Sequence, residues 1–343
     1  MVIRTLAALS ATAILFTACS QNDGSPAEDE TGTPHAADTA SAKIVAGGTA
    51  TVDSLGLSLS PGETYRYKVT QTNETSTDSA NAVQTSVHVY KKRIKARRAD
   101  GTIEYGMTME KIDIVAKVTA RPSGTVVNDQ KYSSSDSSQQ KDERYLMFNA
   151  LIGEEVTVIV TPRAVVQEIS GLTPIVNKMI GSRQVDANVR AQVLKEIEST
   201  VYGAFTELEH LRFPTEKLDS TKSWKVTQSA PLMNAFVIDS DIIYAVKNVK
   251  ELKGRRAADV DATLRGRITV RPLPKGAPIR ISIDSSSLSG VSHTLLDVEK
   301  GYTIYKKNDI ATYIRGRASS PATNQTEKIG QISRLSYTVE LIP

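Results

Sequence analysis

The sequence contains a single cysteine, Cys19, among 343 residues. One thiol can neither form a disulfide within the chain nor build a cysteine-based metal site. Histidine is also scarce: there are four, and no two have the i, i+4 spacing of a helical zinc site. We therefore expect no metal and no cofactor, and a fold stabilised by its apolar core alone.

Patterns of catalytic residues are missing as well. Gly290 precedes Ser292-His293, but the second glycine of a nucleophile elbow is absent. Ser138 and Lys141 have the Ser-x-x-Lys spacing in a polar stretch without companion motifs. Glycine-rich phosphate loops are not present either. The sequence therefore predicts a protein that is not an enzyme, with no catalytic residue.

A long apolar run is also absent. The most apolar stretch near the start, residues 6–16, has about half of the roughly 20 residues needed to span a bilayer. Arg4 precedes this stretch, and small residues lead from it to Cys19. This layout is typical of a secretory signal peptide, here residues 1–18, rather than of a membrane-spanning helix.

The end of the apolar stretch, Phe16-Thr17-Ala18-Cys19, resembles the lipobox of bacterial lipoproteins, with Phe16 where leucine is usual. The resemblance implies that Cys19 carries a thioether-linked diacylglycerol and an acylated amino group. It implies a location in the bacterial cell envelope, anchored to a membrane, with the outer membrane favoured and the body on its periplasmic or surface side. An ordinary signal peptide followed by an incidental cysteine is the alternative.

The segment after the cysteine is acidic and polar. Residues 20–42 contain five acidic residues and no Lys or Arg. Such a segment buries too little apolar surface to offset the entropy of ordering, so residues 19–45 are interpreted as a disordered tether. Without Arg4 and the acidic segment at residues 20–42, residues 43–343 carry a net charge of +8. This surplus favours an anionic membrane or glycolipid partner, although it is also common on soluble domains.

Strand patterns dominate the body, residues 46–343. Tyr65, Tyr67 and Val69 alternate with polar residues, as in a half-buried antiparallel strand. The same alternation predicts further strands at residues 83–96, 103–118, 144–151, 155–161, 164–169, 223–230, 236–249, 259–271, 278–283, 294–297, 302–305, 310–317 and 332–342.

The connections between these strands have their own signals. Asp100-Gly101 is a typical hairpin turn. Residues 123–141 are rich in Ser, Asp and Gln and are predicted to form a long mobile loop. His88, which alternates with Val87 and Val89, is predicted to face solvent.

Two helices are predicted in the middle of the chain. Thr173-Pro174 is typical of a helix start, and Gly181 of its end. Asp186 is predicted to cap a longer helix that continues to about His210. Its apolar residues recur every three or four positions, which indicates packing against a sheet: Val189, Val193, Ile197, Val201, Phe205 and Leu208.

The predicted fold class is therefore α+β, mainly antiparallel β, with two curved β halves at residues 46–170 and 222–343 flanking a helical segment at residues 171–212. Residues 67–72 (YKVTQT) resemble residues 224–229 (WKVTQS), and a basic hairpin follows each of them. This similarity suggests an internal duplication. Chance similarity between short strands is the alternative.

The order of several motifs resembles a family of uncharacterised bacterial lipoproteins common in Bacteroidota. The motifs are Gly62-Glu63-Thr64-Tyr65, Thr161-Pro162-Arg163, residues 166–171, Leu211-Arg212-Phe213-Pro214 and Ser223-Trp224. The family usually has Gly-Asp where this chain has Thr221-Lys222. The resemblance implies lipoprotein character and brings no activity and no site residue.

Positive charge is concentrated in residues 91–98. We expect a patch that binds an anionic partner, formed by Lys91, Lys92, Arg93, Lys95, Arg97 and Arg98 together with Arg255 and Arg256 of the second half. A solvated strand face is the alternative, because lysines also protect exposed strands from edge-to-edge pairing. Nucleic acid is not expected as a partner of an exported protein.

These observations favour a non-enzymatic envelope protein that binds or carries an apolar or lipid ligand under a curved sheet closed by the longer helix. This function rests on analogy at the level of the fold. The alternative is a scaffold that presents its basic hairpins to an anionic envelope protein or glycolipid.

Overall fold

Antiparallel strands form most of the described part of the chain. The computed structural model describes residues 52, 54–181, 185–205, 211–219, 221–232, 236–252, 254–271, 280–320 and 325–343. Cys19, the tether and His210 lie outside these residues, so the predictions made for them stay predictions. Among the described residues, no helix combines the length and the apolar character that crossing a membrane requires.

Within these described ranges, twelve strands belong to one open sheet. They are β1 (Thr64–Thr77), β2 (Ala80–Arg97), β3 (Ile103–Ala120), β4 (Val126–Ser133), β5 (Glu155–Val160), β6 (Val166–Ser170), β7 (Ser223–Leu232), β8 (Phe236–Leu252), β9 (Arg255–Val270), β10 (Arg280–Asp297), β11 (Thr303–Ser320) and β12 (Gln325–Ile342). Their order is β6-β5-β3-β2-β1-β12-β11-β10-β9-β8-β7, with β4 also paired to β3.

The two predicted halves are joined into this single sheet by β1 and β12. These strands run antiparallel in continuous register from the pair Arg66 and Ile342 to the pair Thr77 and Gln331. The first meander therefore continues directly into the second. The two similar segments open the two meanders, in β1 at the centre of the sheet and in β7 at its edge, and the duplication itself stays a prediction.

Three α-helices are described: α1 (Leu146–Leu151), α2 (Thr173–Ile180) and α3 (Ala187–Phe205). Helices α2 and α3 begin where the sequence predicted. The Asp186 carboxylate accepts hydrogen bonds from the backbone N–H groups of Asn188 (2.8 Å) and Val189 (2.9 Å), as expected of an N-cap. Only part of the predicted apolar stripe is core, since Ile197 and Val201 are buried while Val189 is exposed.

Two local predictions are wrong. Residues 144–151 form a 3₁₀ turn and α1 instead of a strand, because Tyr145 and Phe148, three residues apart, both pack against Tyr132. Residues 123–141 contain β4 instead of forming one long loop. The buried Tyr132 anchors this otherwise polar segment to β3, where it lies opposite Ile114.

Two long strands replace pairs of short predicted ones. The intervals at residues 284–293 and 306–309 are rich in polar residues, which hid their strand character in the sequence. In the structure they continue β10 and β11. From Leu288 onwards β10 is paired with both β9 and β11, and residues 306–309 of β11 are paired with both β10 and β12. Residues 278 and 279 of the first predicted strand lie outside the described residues.

The apolar core lies on one face of the sheet, here called the inner face, which bears Tyr67, Val69, Ile112 and Val339. The helices contribute Ile175, Ile197 and Val201 to the same core. The opposite side is called the outer face.

A segment that precedes β1, residues 54–60, closes one end of this core. Leu55, Leu57 and Leu59 alternate and are buried. The Leu57 N–H donates to the Pro162 carbonyl (2.7 Å), and the Ser58 N–H donates to the Lys300 carbonyl (2.9 Å). The segment therefore links a turn of the first meander to a turn of the second.

Candidate functional site

Lys92 does not belong to the predicted basic surface patch. It lies on the inner face, only 1% exposed, with its ammonium 4.4 Å from the centroid of the Tyr105 ring. Tyr90 and Ile94, two positions away on either side, are also buried. The alternation of β2 therefore places Lys92 in the core.

Two further cations of the predicted patch share one carboxylate as their ion-pair partner. Glu155 of β5 pairs with Lys95 (2.8 Å) and with Arg93 (3.3 Å). The hydrogen bond from Lys95, together with the charge of Arg93, lowers the pKa of the Glu155 carboxyl below its ordinary value. Gly106 leaves the space that this carboxylate occupies, because a side chain there would collide with it.

Of the remaining basic residues, the four arginines lie at one end of the sheet, where β2 ends and β9 begins, and Lys91 lies further along β2. Arg97 donates a hydrogen bond to the Ser58 hydroxyl (3.1 Å), and Arg255 donates to the Tyr302 hydroxyl. Arg97 therefore stabilises the residue 54–60 segment directly, and Arg255 stabilises the turn that contains Lys300, which this segment contacts. The other three, Lys91, Arg98 and Arg256, make no ion pair with the described residues.

The prediction that His88 faces solvent is wrong. His88 is 3% exposed on the inner face, opposite Val69 of β1 and Ile112 of β3. Burial lowers the pKa of its imidazole to about 4, and the charge of Asp113 opposes this shift only weakly. His88 is therefore neutral at pH 7.

Polar atoms without hydrogen-bond partners gather on the same inner face. Those within the described residues include Asn73 Oδ1, Ser86 Oγ, His88 Nε2, Ser240 Oγ, Ser292 Oγ, Thr294 Oγ1 and Asn308 Oδ1. More than nine in ten buried polar groups in proteins have a partner, and an unsatisfied one costs about 1–3 kcal/mol. These buried atoms leave hydrogen bonds unmade, which a water molecule or a polar group of a ligand would supply.

The densest group of them lies on β10 and β11. Thr294 is opposite Lys306, and Ser292 is opposite Asn308. On β12, the Tyr337 hydroxyl accepts a hydrogen bond from the Asn308 amide, and its ring centroid lies 5.8 Å from the Lys306 ammonium. We call these five residues the Lys306 cluster.

Apolar side chains continue the inner face beyond this cluster. One row further along the strands are Leu264, Gly290, Ile310 and Leu335 in mutual register. Two residues along a strand span about 7 Å. Beyond this row lie Leu288, Ile268 and Ile314, which are buried without belonging to the main core cluster. The inner face thus changes from polar to apolar over a short distance.

The outer face carries a separate group of metal-ligating residues. His293 Nδ1 lies 3.1 Å from Asp261 Oδ1 and 3.2 Å from Asp259 Oδ1. These three residues could hold a divalent cation, but the Lys250 ammonium already neutralises the other oxygen of Asp259. The same distances fit hydrogen bonding between an imidazole and two carboxylates.

A shallow depression of about 480 Å³ also lies on the outer face. Arg265 and Arg334 border it, with Ser289, Val291 and Asp309 between them. It is wide open to solvent and contains none of the predicted site residues.

Comparison with known proteins gives a similarity to an uncharacterised family over residues 100–255. They match the model of a family described as "Family of unknown function (DUF6263)". The match runs from the β2–β3 turn to the start of β9. It agrees with the expected resemblance to an uncharacterised family, and its description includes neither a lipoprotein nor an organism. No curated protein matches the chain with a significant score.

Solved structures resemble the chain only distantly. A structure of lipovitellin, described by its lipid–protein interactions, is 7% identical over 83% of this chain, with a TM-score of 0.45; the chain spans 26% of it. An outer membrane channel from Pseudomonas putida F1 is 10% identical over 83% of this chain and 97% of the channel's chain, with a TM-score of 0.22. OccK7 from Pseudomonas aeruginosa is 7% identical over 82% of this chain and 98% of the OccK7 chain, also with a TM-score of 0.22. At these TM-scores the likenesses carry no argument about function.

Proposed function

We propose that the protein is a lipid-anchored, non-enzymatic envelope protein that binds an amphipathic lipid on the inner face of its sheet. The observation that carries the proposal is the border between two kinds of inner-face surface. Buried polar atoms without partners, such as Ser292 Oγ and Asn308 Oδ1, lie one row along the strands from the apolar side chain of Ile310 and two rows from that of Leu288.

An amphipathic ligand uses both kinds of surface at once. Its polar end forms the hydrogen bonds that the inner-face hydroxyl and amide atoms lack within the protein. Its hydrocarbon part lies along the apolar rows, where each buried methylene contributes about 0.8 kcal/mol. A purely apolar ligand would leave the polar atoms unsatisfied, and a purely polar one would gain nothing from the apolar rows.

The anchor and the location come from the sequence. The lipobox-like residues that end in Cys19, followed by an acidic tether, support a protein held at a membrane of the bacterial envelope. In this arrangement the folded body remains close to the lipids from which it would take its ligand.

The geometry at Ser292 supports a role other than catalysis. Ser292 and His293 are consecutive residues of β10, so their side chains point to opposite faces of the sheet. His293 instead contacts Asp259 and Asp261. The serine and the histidine therefore cannot act together as nucleophile and base.

The experiment is native mass spectrometry of the full chain purified from membranes in mild detergent. We expect a bound lipid, and we expect thermal stabilisation when lipid is added to stripped protein. Leu288→Ser should lower lipid occupancy. The matched control Val291→Ser, on the same strand but 60% exposed on the outer face, should not. Protein that is empty and shows no thermal shift with lipids would overturn the proposal.

The scaffold function is the second candidate, and one observation favours it. Lys91, Arg98 and Arg256 make no ion pair with the described residues, and Arg98 and Arg256 lie at the same end of the sheet as Arg97 and Arg255. Reversing these three charges to Glu should reduce retention on lipopolysaccharide-coated beads at least tenfold if this candidate is right. Lys328→Glu, exposed near the opposite end of the sheet, is the control. Unchanged retention in the triple variant would contradict the scaffold function.

A further inference from the structure

We infer that Asn73, Ser86 and His88, on the inner face of β1 and β2, bind an uncharged, hydroxyl-bearing headgroup of the lipid ligand. We call these three residues the His88 cluster. The inference rests on the proposed function and names the chemical class of the ligand's polar end.

The three residues of the His88 cluster are neighbours in the sheet. Ser86 and His88 are two positions apart on β2, so their side chains share one face and lie about 7 Å apart along the strand. Asn73 of β1 lies opposite Gln84 and therefore diagonally beside Ser86. Asn73 Oδ1, Ser86 Oγ and His88 Nε2 are buried and have no hydrogen-bond partner among the described residues. Three unmade hydrogen bonds therefore meet on two adjacent strands.

The donor and acceptor types of these atoms favour a hydroxyl group. A carboxamide oxygen such as Asn73 Oδ1 only accepts hydrogen bonds, a serine hydroxyl donates and accepts, and an imidazole nitrogen does one or the other according to its tautomer. A carboxylate or an ester brings acceptors alone and would leave Asn73 Oδ1 unsatisfied. A hydroxyl group both donates and accepts, so it matches every atom of the cluster.

The surroundings of the cluster favour a headgroup without charge. Its cross-strand neighbours carry no ionisable group; they are Val69, Gln71, Gln84, Ile112, Ile114 and Leu335. Burial keeps His88 itself uncharged at pH 7, because it lowers the pKa of the imidazole to about 4. An ionised headgroup would lose its hydration in the same surroundings without an opposite charge among these neighbours.

The apolar surface for the hydrocarbon part begins beside the cluster. Asn73 lies opposite Leu335 of β12. The apolar row described above runs from Leu335 through Ile310 to Leu264. A headgroup bound at the cluster therefore leads directly into a chain that lies along this row.

Atoms of the same kind recur along the row of the sheet that contains Ser86. Ser86 lies opposite Gln71, and the row continues through Tyr337 to Asn308 and Ser292. Asn308 Oδ1 and Ser292 Oγ are also buried and have no partner among the described residues. A second carboxamide oxygen and a second serine hydroxyl on this row favour a headgroup with more than one hydroxyl, such as glycerol.

Three probes with the same sixteen-carbon chain test the inference: glycerol hexadecyl ether, methyl hexadecanoate and hexadecanoic acid. An equimolar mixture is added at pH 8 to the stripped full-length protein in mild detergent, and native mass spectrometry shows which probe is bound. We expect the glycerol ether to be bound at least ten times more often than the ester or the ionised acid. Ser86→Ala should reduce this preference about fivefold, as expected for one lost hydrogen bond, and should leave the affinity for the ester, measured alone, unchanged.

Thr85→Val is the matched control. It removes one hydroxyl from the neighbouring residue of β2, which is exposed on the outer face, and it should keep the preference. Asn73→Leu is close to asparagine in volume and should also weaken the preference, which gives a second readout on β1. Because Ser86 Oγ has no partner among the described residues, Ser86→Ala should not lower the melting temperature of the stripped protein.

The outcomes separate the two proposals. Equal binding of the three probes would mean that ordered water alone satisfies the cluster. That result, or a preference that survives both Ser86→Ala and Asn73→Leu, would overturn the headgroup inference and leave the proposed function intact. No binding of any probe would overturn both. Free glycerol at equal concentration should not displace the glycerol ether. If it displaces the ether fully, the ligand is a free polyol and the lipid headgroup is excluded.

Discussion

His88 is a buried imidazole without a partner for Nε2, and its ionisation opposes folding. Its folded-state pKa, about 4, lies below the ordinary value of 6.5. Between pH 6.5 and pH 4, His88 of the unfolded chain therefore binds a proton that His88 of the folded chain does not. The corresponding stability is fully present above pH 6.5 and is lost as the pH falls from 6.5 towards 4.

We predict that the titration of His88 lowers the unfolding free energy by about 2 kcal/mol when the pH falls from 7.5 to 5. His88→Leu keeps the volume and removes the titration, so its stability should fall less over the same range. Urea unfolding of both proteins at the two pH values measures the difference. An identical loss in the two proteins would show that His88 is not the source.

Gly301 is a residue at which only glycine fits. Its φ is +72°, and an added Cβ would overlap the Gly56 carbonyl oxygen. We predict that Gly301→Ala lowers the unfolding free energy by at least about 3 kcal/mol, because backbone strain and displacement of the residue 54–60 segment add.

Gly62→Ala is the control for this change. Gly62 also has a positive φ, +89°, but nothing lies near its Cβ position. This substitution should cost only about 1 kcal/mol, the conformational part of the penalty. Chemical denaturation measures both variants, and equal costs would contradict a close packing of Gly56 against Gly301.

The candidate site could be predicted only in part from single residues. The run at residues 91–98 looks like a uniform basic surface, but β2 alternates, so Lys92 is buried and Arg93 is exposed. Buried Tyr90 and Ile94 at two-residue spacing were the signal for Lys92. Lys306 and Asn308 lie at two-residue spacing from Ile304 and Ile310, but four consecutive polar residues at 306–309 interrupted the predicted strand and hid this signal.

Elements with local signals could be predicted, and those held by distant contacts could not. The N-cap Asp186 fixes the start of α3 within the chain itself, and Asp100-Gly101 fixes the β2–β3 turn. Helix α1 and strand β4 owe their conformation to mutual packing of Tyr132, Tyr145 and Phe148. Alternation alone could not predict that packing.

Helix α3 is only partly packed against the core, so we expect substitutions at its two ends to have different effects on stability. Val201 is fully buried, whereas Val189 is 42% exposed. Val201→Ala should cost about 2 kcal/mol through the cavity it leaves. Val189→Ala should change the unfolding free energy by less than about 0.5 kcal/mol. Similar costs in thermal unfolding would show that the apolar stripe packs along its whole length.

At the scale of the whole molecule, the antiparallel β class followed from the strand patterns, but the single sheet did not. Nothing in the pattern of β1 or β12 indicates that the two strands pair. Their register depends on side chains on both faces of two strands that are far apart in the sequence but adjacent in the sheet. Sequence alternation therefore predicted the strands and left their order open.

The proposed anchor is a property of the whole molecule as well. We predict that Cys19→Ser moves the protein from the membrane fraction to the soluble fraction and removes the mass of the attached lipid. Fractionation and mass spectrometry of the mature product measure both effects. Ser20→Ala, which keeps the cysteine, should change neither. Unchanged partitioning of Cys19→Ser would contradict lipid anchoring.

The pairing of β1 with β12 has a consequence for export. A polypeptide that is translocated amino terminus first delivers β1 long before β12, so the centre of the sheet is the last part to be completed. Until then β1 and β11 are free edges, which can template pairing between chains. Pairing between such distant segments is also slow. If the protein is exported as proposed, the interval between translocation and closure of the sheet is when it most needs a holding chaperone.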